Sequence, residues 1–228
     1  MMIIIIFILI FFFIWASADI RSGVYLRCLC RGSSKERVIA LTFDDGPHPI
    51  YTPKILDILR ENNIKATFFL IGSKAETWPD IVKQIHDDGH LIGNHTYSHS
   101  VFYPFWTSNR IYEDVQKTND VIFKIIGRRP IIFRPPFGVT NPLIRKAVKS
   151  SFKCIGWSVR SFDTLACLKR DSIGERIAHN IKNGDIVLLH DNREKSDFLL
   201  SFVIERIKEK KMKVVSLDQL IKINTYEI

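Results

Sequence analysis

Val38-Ile39-Ala40-Leu41-Thr42-Phe43-Asp44-Asp45-Gly46-Pro47 is an apolar run that ends abruptly in two carboxylates and a Gly-Pro turn. Its apolar part, Val38–Phe43, reads as a strand buried on both faces, as in a parallel sheet. The acids then fall where that strand ends. Other strand-like runs finish in the same way. His90–Gly93 leads into His95 and His99, and Ile131–Phe133 into Arg134. Lys153–Val159 leads into Asp163, and Asp185–His190 closes on a histidine. Reactive side chains therefore collect at the C-terminal ends of successive strands. An open sheet would spread those ends along an edge, whereas a barrel converges them on one mouth. A distorted (β/α) barrel of about seven parallel strands is the architecture expected.

Helical segments separate these strands, as parallel crossovers require. Thr52 can cap a helix with Pro53 at its first position, and Ile55, Ile58 and Leu59 share one face. Lys65–Ile71 reads as the second strand. Pro79–Asp88 reads as a helix stopped by Gly89, and Ser108–Ile126 as a long helix stopped by Gly127. Asn141-Pro142 opens another helix, Ser172–Lys182 is stopped by Gly184, and a helix from about Phe198 to Lys210 precedes a last strand at Lys213–Val215. Leu217–Lys222 closes the chain.

The 228 residues carry a net charge of +9, with 46% hydrophobic and 25% charged residues, a globular composition for one domain. The densest basic cluster (Lys208, Lys210, Lys211 and Lys213) is interrupted by Glu209 and Met212, so no nucleic-acid partner is expected. Anionic lipid or an anionic wall polymer remains open to a basic surface. Residues 1–18 hold no charged side chain. Met1–Trp15 is apolar throughout, and Ala16-Ser17-Ala18 fits a signal-peptidase site, so the segment reads as a signal peptide or membrane anchor. Arg21, Arg27 and Arg31 follow the run where positive-inside logic would place them before it. Residues 19–36 read as a basic connector and 37–228 as the domain. Cys28 and Cys30 are too close for an easy mutual disulfide, and Cys154, within an apolar strand, reads as a small core residue.

His95 and His99 lie four residues apart. On a helical turn that spacing puts both imidazoles on one side, where they can share a metal. A carboxylate completes a two-His, one-acid set with an open position, and Asp45 is the candidate. Adjacent acids on an extended strand point apart, so Asp44 and Asp45 are expected to have separate roles, one as ligand and one as base.

Thr42–Pro47, His95–His99, Arg134-Pro135-Pro136-Phe137-Gly138, Ser158–Asp163 and Leu188-Leu189-His190 together resemble the five ordered motifs of the NodB-type polysaccharide deacetylases, carbohydrate esterase family 4. The resemblance spans about Val38 to Val215. It implies a deformed barrel and one divalent metal, usually zinc, with cobalt, nickel or manganese as alternatives. It further implies that Asp45, His95 and His99 are the ligands, Asp44 the general base and His190 the general acid. On the same grounds Arg134 would orient Asp44, and Asp163 would orient His190 and favour its imidazolium. The Phe137 backbone N–H would face the oxyanion, and Leu188 would line a pocket for the acetyl methyl. The implied activity is removal of N-acetyl groups from N-acetylglucosamine-type residues of a cell-envelope polysaccharide or peptidoglycan, and the apolar residues 1–18 make an exported protein the expectation, either anchored to the membrane through that segment or periplasmic or extracellular.

The fourth motif departs from the family pattern Asp-x-x-Asp-Trp. Here it reads Arg160-Ser161-Phe162-Asp163-Thr164, with Arg in place of the first acid and Thr in place of the tryptophan. The metal set is untouched, but groove shape and substrate choice are altered, and Arg160 becomes a candidate reader of an anionic group on the polymer. Two other functions fit the residues: an O-acetyl esterase acting on xylan-type polymer, and a catalytically silent carbohydrate-binding module.

Overall fold

The computed structural model describes residues 1–32, 35–164 and 170–227. Its centre is a curled parallel sheet. Strand β1 (Val38–Gly46) lies in the middle, with β2 (Thr67–Leu70), β3 (Leu91–Asn94), β4 (Ile132–Phe133) and β5 (Lys153–Cys154) following in order on one side. On the other side come β7 (Ile186–His190) and then β6 (Val159–Arg160), while β8 (Lys213–Val214) pairs with the start of β1. Every one of these pairings is parallel.

The stretch expected as one fifth strand is broken. Its start pairs with β4 and its end with β7, so the chain itself crosses the seam and closes the curl into a distorted barrel. Neither neighbour supplies ladder partners in the middle of the break. Leu29 does so instead: its N–H donates to Cys154 O, and its carbonyl accepts from Gly156 N–H. The basic connector is thus woven into the barrel wall, with Leu26 buried there. Cys154 is not merely a core residue, because it is disulfide-bonded to Cys28 at a Cα–Cα distance of 4.6 Å.

Alternation along β1 separates two packing faces. Ile39, Leu41 and Phe43 join the outer core, against α2 (Tyr51–Glu61) and α8 (Ser196–Glu209). Val38 and Ala40 point inward, where they meet Phe69, Ile132, Ile155 and Ile186, with Leu217 and Leu220 of α9 (Leu217–Ile221) in the same cluster. Period two then places Thr42 and Asp44 on the inward face above this plug. Gly93 makes room here, since a Cβ on it would overlap the Phe69 ring.

The remaining helices lie close to their expected bounds: α4 (Pro79–Asp87), α5 (Ser108–Ile126), α6 (Pro142–Val148) and α7 (Arg170–Asn180). Asn141 caps α6 by accepting from Ile144 N–H at 2.8 Å. Thr52 does not cap α2, which begins one residue before it. Its hydroxyl donates to Asp191 Oδ2 at 2.6 Å instead. A short helix α3 (Gly72–Thr77) follows β2, six residues that carry no apolar repeat to announce them. At the N-terminus, α1 (Met2–Ala18) exposes Ile3 to Trp15 and buries Ala16. No helix among the described residues is long and apolar enough to cross a membrane.

The Cys28–Cys154 bond ties residues 126 apart in sequence across the seam. A closed loop of that size removes much unfolded-state entropy. Cys154→Ser is expected to lower unfolding free energy by about 2–4 kcal/mol in urea titrations under oxidising conditions. Added reductant should bring wild type to the same midpoint as the variant.

Candidate active site

Asp44 ends the regular part of β1 with its side chain inside the barrel. Arg134, which follows β4 and is completely buried, meets it there: Nη1 lies 2.6 Å from Asp44 Oδ1. The same nitrogen donates to Thr42 Oγ1 at 2.9 Å. Nε and Nη2 donate to the Ile155 and Gly156 carbonyls at 3.0 and 2.9 Å, the two left at the break between β5 and β6. The guanidinium also lies over the Phe69 ring at 4.1 Å.

Asp45 does not point away from Asp44, as an extended strand would require. It adopts φ 72°, and the register against β2 shifts between Asp44 and Gly46. This left-handed residue turns the second carboxylate back toward the first, so both reach one cavity. Lys74 of α3 fixes the turn by donating to Asp45 O at 2.7 Å.

His95 and His99 sit on a loop, not on a helical turn. Thr96 and His99 both take positive φ, 67° and 45°. Side chains stand in for the missing helical ladder. Asn94 Oδ1 accepts from Thr96 N–H at 2.9 Å, Asp114 of α5 accepts from Tyr97 N–H at 2.7 Å, and Thr96 Oγ1 accepts from His99 N–H at 3.2 Å. The imidazoles nonetheless converge. Asp45 Oδ1 is 3.4 Å from His95 Nε2 and 3.3 Å from His99 Nε2, and the three candidate ligand atoms lie within 4.8 Å of one another.

Ligands on a tetrahedron with bonds of ~2 Å are separated by roughly 3.3 Å, so this donor set fits a zinc-sized cation. His95 Nδ1–H donates to Arg134 O at 2.7 Å, which leaves Nε2 with its lone pair toward Asp45. His99 is held neutral by its surroundings. Burial, then the neighbouring His95, lowers its pKa to about 4, against the pull of Asp45 and Asp44. Burial works against the charged form of Asp45, but the contacts with His95 and the fields of His99 and His190 outweigh it and hold the carboxyl well below the usual range.

His190, at the end of β7 and in register with Asp44 of β1, faces the same cavity. Asp163 grips it twice: Oδ1 accepts from the ring Nδ1–H at 2.7 Å and Oδ2 from the backbone N–H at 2.9 Å. Burial disfavours the imidazolium, yet the Asp163 hydrogen bond and charge, backed by Asp44 and Asp45, raise the His190 pKa above its ordinary value. Asp163 is depressed in turn. Burial opposes its charge, but His190 and the Ser161 hydroxyl, which donates at 2.7 Å, more than compensate.

The cavity measures about 220 Å³. Leu188 and Trp157 supply its apolar wall, both nearly buried. Phe137 stands at the rim with φ 60° and its ring edge-on to His99 at a centroid distance of 4.8 Å. All the residues singled out from sequence therefore gather at this mouth. Two others could not be picked out by motif. Lys74 comes from the unanticipated α3. Asp191 is wholly buried behind Gly46, and burial together with the charge of Asp45, against the hydrogen bond from Thr52, pushes its pKa up to about 7.

A family model described as polysaccharide deacetylase matches residues 31–151. The chain is 35% identical over 199 residues to a peptidoglycan-N-acetylglucosamine deacetylase of Bacillus cereus, covering 83% of this chain and 90% of the relative. It is 32% identical over 196 residues to the peptidoglycan-N-acetylmuramic acid deacetylase PdaA of Bacillus subtilis, covering 83% and 73%. Among solved structures, the Bc1960 peptidoglycan N-acetylglucosamine deacetylase, in complex with 4-naphthalen-1-yl-N-oxidanyl-benzamide, superposes with a TM-score of 0.81 at 33% identity over 87% of this chain and 94% of that one. The family model and these relatives define a hydrolase of the deacetylase class. The chain belongs to the polysaccharide deacetylase family.

The His190–Asp163 pair gives a direct test of the site's electrostatics. Asp163→Asn removes the charge that raises His190, so the imidazole should titrate at lower pH than in wild type, followed through its ring proton resonances by NMR. An unchanged His190 titration would show that Asp163 does not control it.

Proposed function

We propose that this chain removes N-acetyl groups from N-acetylglucosamine-type residues of a cell-envelope polysaccharide or peptidoglycan, using one divalent cation held by Asp45, His95 and His99. The observation that carries this reading is the convergence of those three ligand atoms within 4.8 Å, in a cavity lined also by Asp44 and His190. A cation held there would polarise the amide carbonyl and acidify a water. Zinc suits the two-imidazole, one-carboxylate set, and cobalt, nickel or manganese would be accepted by the same donors.

The chain's own residues supply the proton transfers. Arg134 engages Oδ1 of Asp44, while Oδ2 lies 3.9 Å from His95 Nε2, on the side of the metal ligands. Asp44 takes the proton of the attacking water as general base. The oxygen that gains negative charge is met by the backbone N–H of Phe137. His190, protonated through Asp163, gives its proton to the departing nitrogen, because an amide anion is too basic to leave unaided. Leu188 packs against the acetyl methyl. This last division of labour favours amide over ester hydrolysis, since an alkoxide leaves with less help than an amide anion. An O-acetyl esterase on xylan-type polymer is thus the second reading. A silent carbohydrate-binding module would have no use for an acid and a base lining one small cavity.

Two observations support export. The Cys28–Cys154 disulfide suits an oxidising compartment. The apolar exterior of α1 suits lipid or a secretion channel better than water. The last turn of α1 is also stitched to the domain: Ser17 Oγ donates to Thr140 O at 2.7 Å, and Thr140 N–H returns a bond to Ser17 O at 2.9 Å. Retention of residues 1–18 as an anchor therefore accords better with the packing than cleavage after Ala18. N-terminal sequencing of the mature protein decides between the two.

Acetate release from chitin oligomers, peptidoglycan fragments and acetylated xylan, before and after chelation, tests the assignment. Release from the first two and not from xylan, lost on chelation and restored by Zn²⁺ or Co²⁺, is the expected result. Asp44→Asn should lower kcat by at least about a hundredfold while bound metal, measured by mass spectrometry, stays stoichiometric. His95→Ala should lose metal and turnover together. Normal turnover by Asp44→Asn would remove it as the base.

A further inference from the structure

A second cleft, of about 580 Å³, adjoins the catalytic cavity, and Trp157 and Arg160 line both. Its charge is one-sided. Arg21, Arg31, Arg160, Arg176 and Lys182 line it, against Asp19 as the acid among the described residues. Some of these cations are already engaged. Arg21 pairs with Asp19 at 2.9 Å and Arg31 with the buried Asp185 at 2.5 Å. Arg176 donates to the backbone carbonyls of Arg160 and Ser161, bracing the segment that carries Arg160. Arg160 and Lys182 have no carboxylate partner among the described residues.

The aromatic groups position the guanidiniums without using their donors. Phe162 adopts φ 56°, and its ring lies 5.0 Å from the Arg160 Cζ and 4.6 Å from the Arg176 Cζ. Trp157 lies 5.9 Å from Arg160 on the side of the catalytic cavity. A guanidinium against ring faces keeps its planar fork of N–H groups available, and that fork matches a carboxylate. The position is informative too. An anion held here borders, through Trp157 and Arg160, the cavity that takes the acetamido group in the reading above.

We propose that this cleft is an anion subsite. It takes a carboxylate carried by the glycan beside the acetamido group being cleaved, and makes the chain selective for carboxylate-bearing polymer over neutral polymer. The proposal rests on the deacetylase reading above. The carboxylate can come from a lactyl ether on the sugar ring or from a peptide attached to it, and the chemistry of recognition is the same.

The test compares kcat/KM for acetate release from three substrates of matched length: neutral N-acetylglucosamine oligomers, peptide-stripped glycan bearing free lactyl carboxylates, and glycan with its peptides intact. Wild type should prefer at least one carboxylate-bearing glycan by about tenfold at low salt, with the preference shrinking as salt rises. Arg160→Gln combined with Lys182→Gln should collapse that ratio, through KM and not kcat. Lys182→Gln alone, at an exposed position, should give a partial loss and guards against misfolding of the double variant. Preference for the peptide-stripped glycan assigns the lactyl group, and preference confined to the intact glycan assigns the peptide. Equal use of all three substrates by wild type, or a ratio unchanged in the double variant, would overturn the proposal. Calorimetric titration with the same glycans separates it from the deacetylase reading. If no polymer releases acetate, tighter binding of carboxylated than neutral glycan that disappears in the double variant still supports the cleft, and equal binding rejects it.

Discussion

Arg134 and Asp44 form a 2.6 Å ion pair inside the barrel, and the geometry of the catalytic mouth follows from it. A lone charge at either position would cost several kcal/mol in so dry a place, so each holds the other. The guanidinium gives its remaining bonds to Thr42 on β1 and to the carbonyls of Ile155 and Gly156 at the strand break. Its backbone carbonyl receives the Nδ1 proton of His95. One residue thereby orients Asp44, sets the tautomer of His95 and ties down the seam that closes the barrel. Such a pair adds less to stability than apolar packing of the same volume, and its value lies in fixing geometry.

The mouth is also where backbone strain gathers. Asp45, Thr96, His99 and Phe137 all take positive φ without being glycine, at a cost of order 1–3 kcal/mol each where the conformation is sparsely populated. Lys74, which donates to Asp45 O, and Asn94 and Asp114, which accept from Thr96 and Tyr97 N–H, hold the first two of these turns in place. The strain does chemical work. A relaxed β1 would send Asp45 to the opposite face from Asp44, and a relaxed turn after β3 would not bring His99 to the same carboxylate as His95.

Histidines at this mouth differ by their partners. His95 gives its Nδ1 proton to a neutral carbonyl and His99 is desolvated, so both present lone pairs. His190 gives its Nδ1 proton to a carboxylate and is held toward the imidazolium. The three imidazoles are thus distinguished by the atom behind each ring and not by residue type. Beyond His190 the wall of the cavity continues, through Trp157 and Arg160, into the arginine-lined cleft.

Sequence by itself determined the alternation of strands and helices, the bounds of α5, the start of α6, and the set of residues at the strand ends. Those signals are local: apolar period, caps at Asn141 and Gly127, and motifs contiguous in the chain. The tertiary structure alone decided the rest. The break in the fifth strand appears only when residues 153–160 must satisfy two different neighbours, and Leu29 and Cys28 fill that seam from more than a hundred residues away. The convergence of Asp44 with Asp45 runs against the alternation that the local pattern implies, because a bulge and a left-handed residue override it. Thr52 serves Asp191 instead of its own helix for a similar reason: a buried carboxyl across the fold is a more demanding partner than a helix end open to water. Periodicity reports which face a residue prefers, but long-range hydrogen bonds and buried charge settle where it finally points.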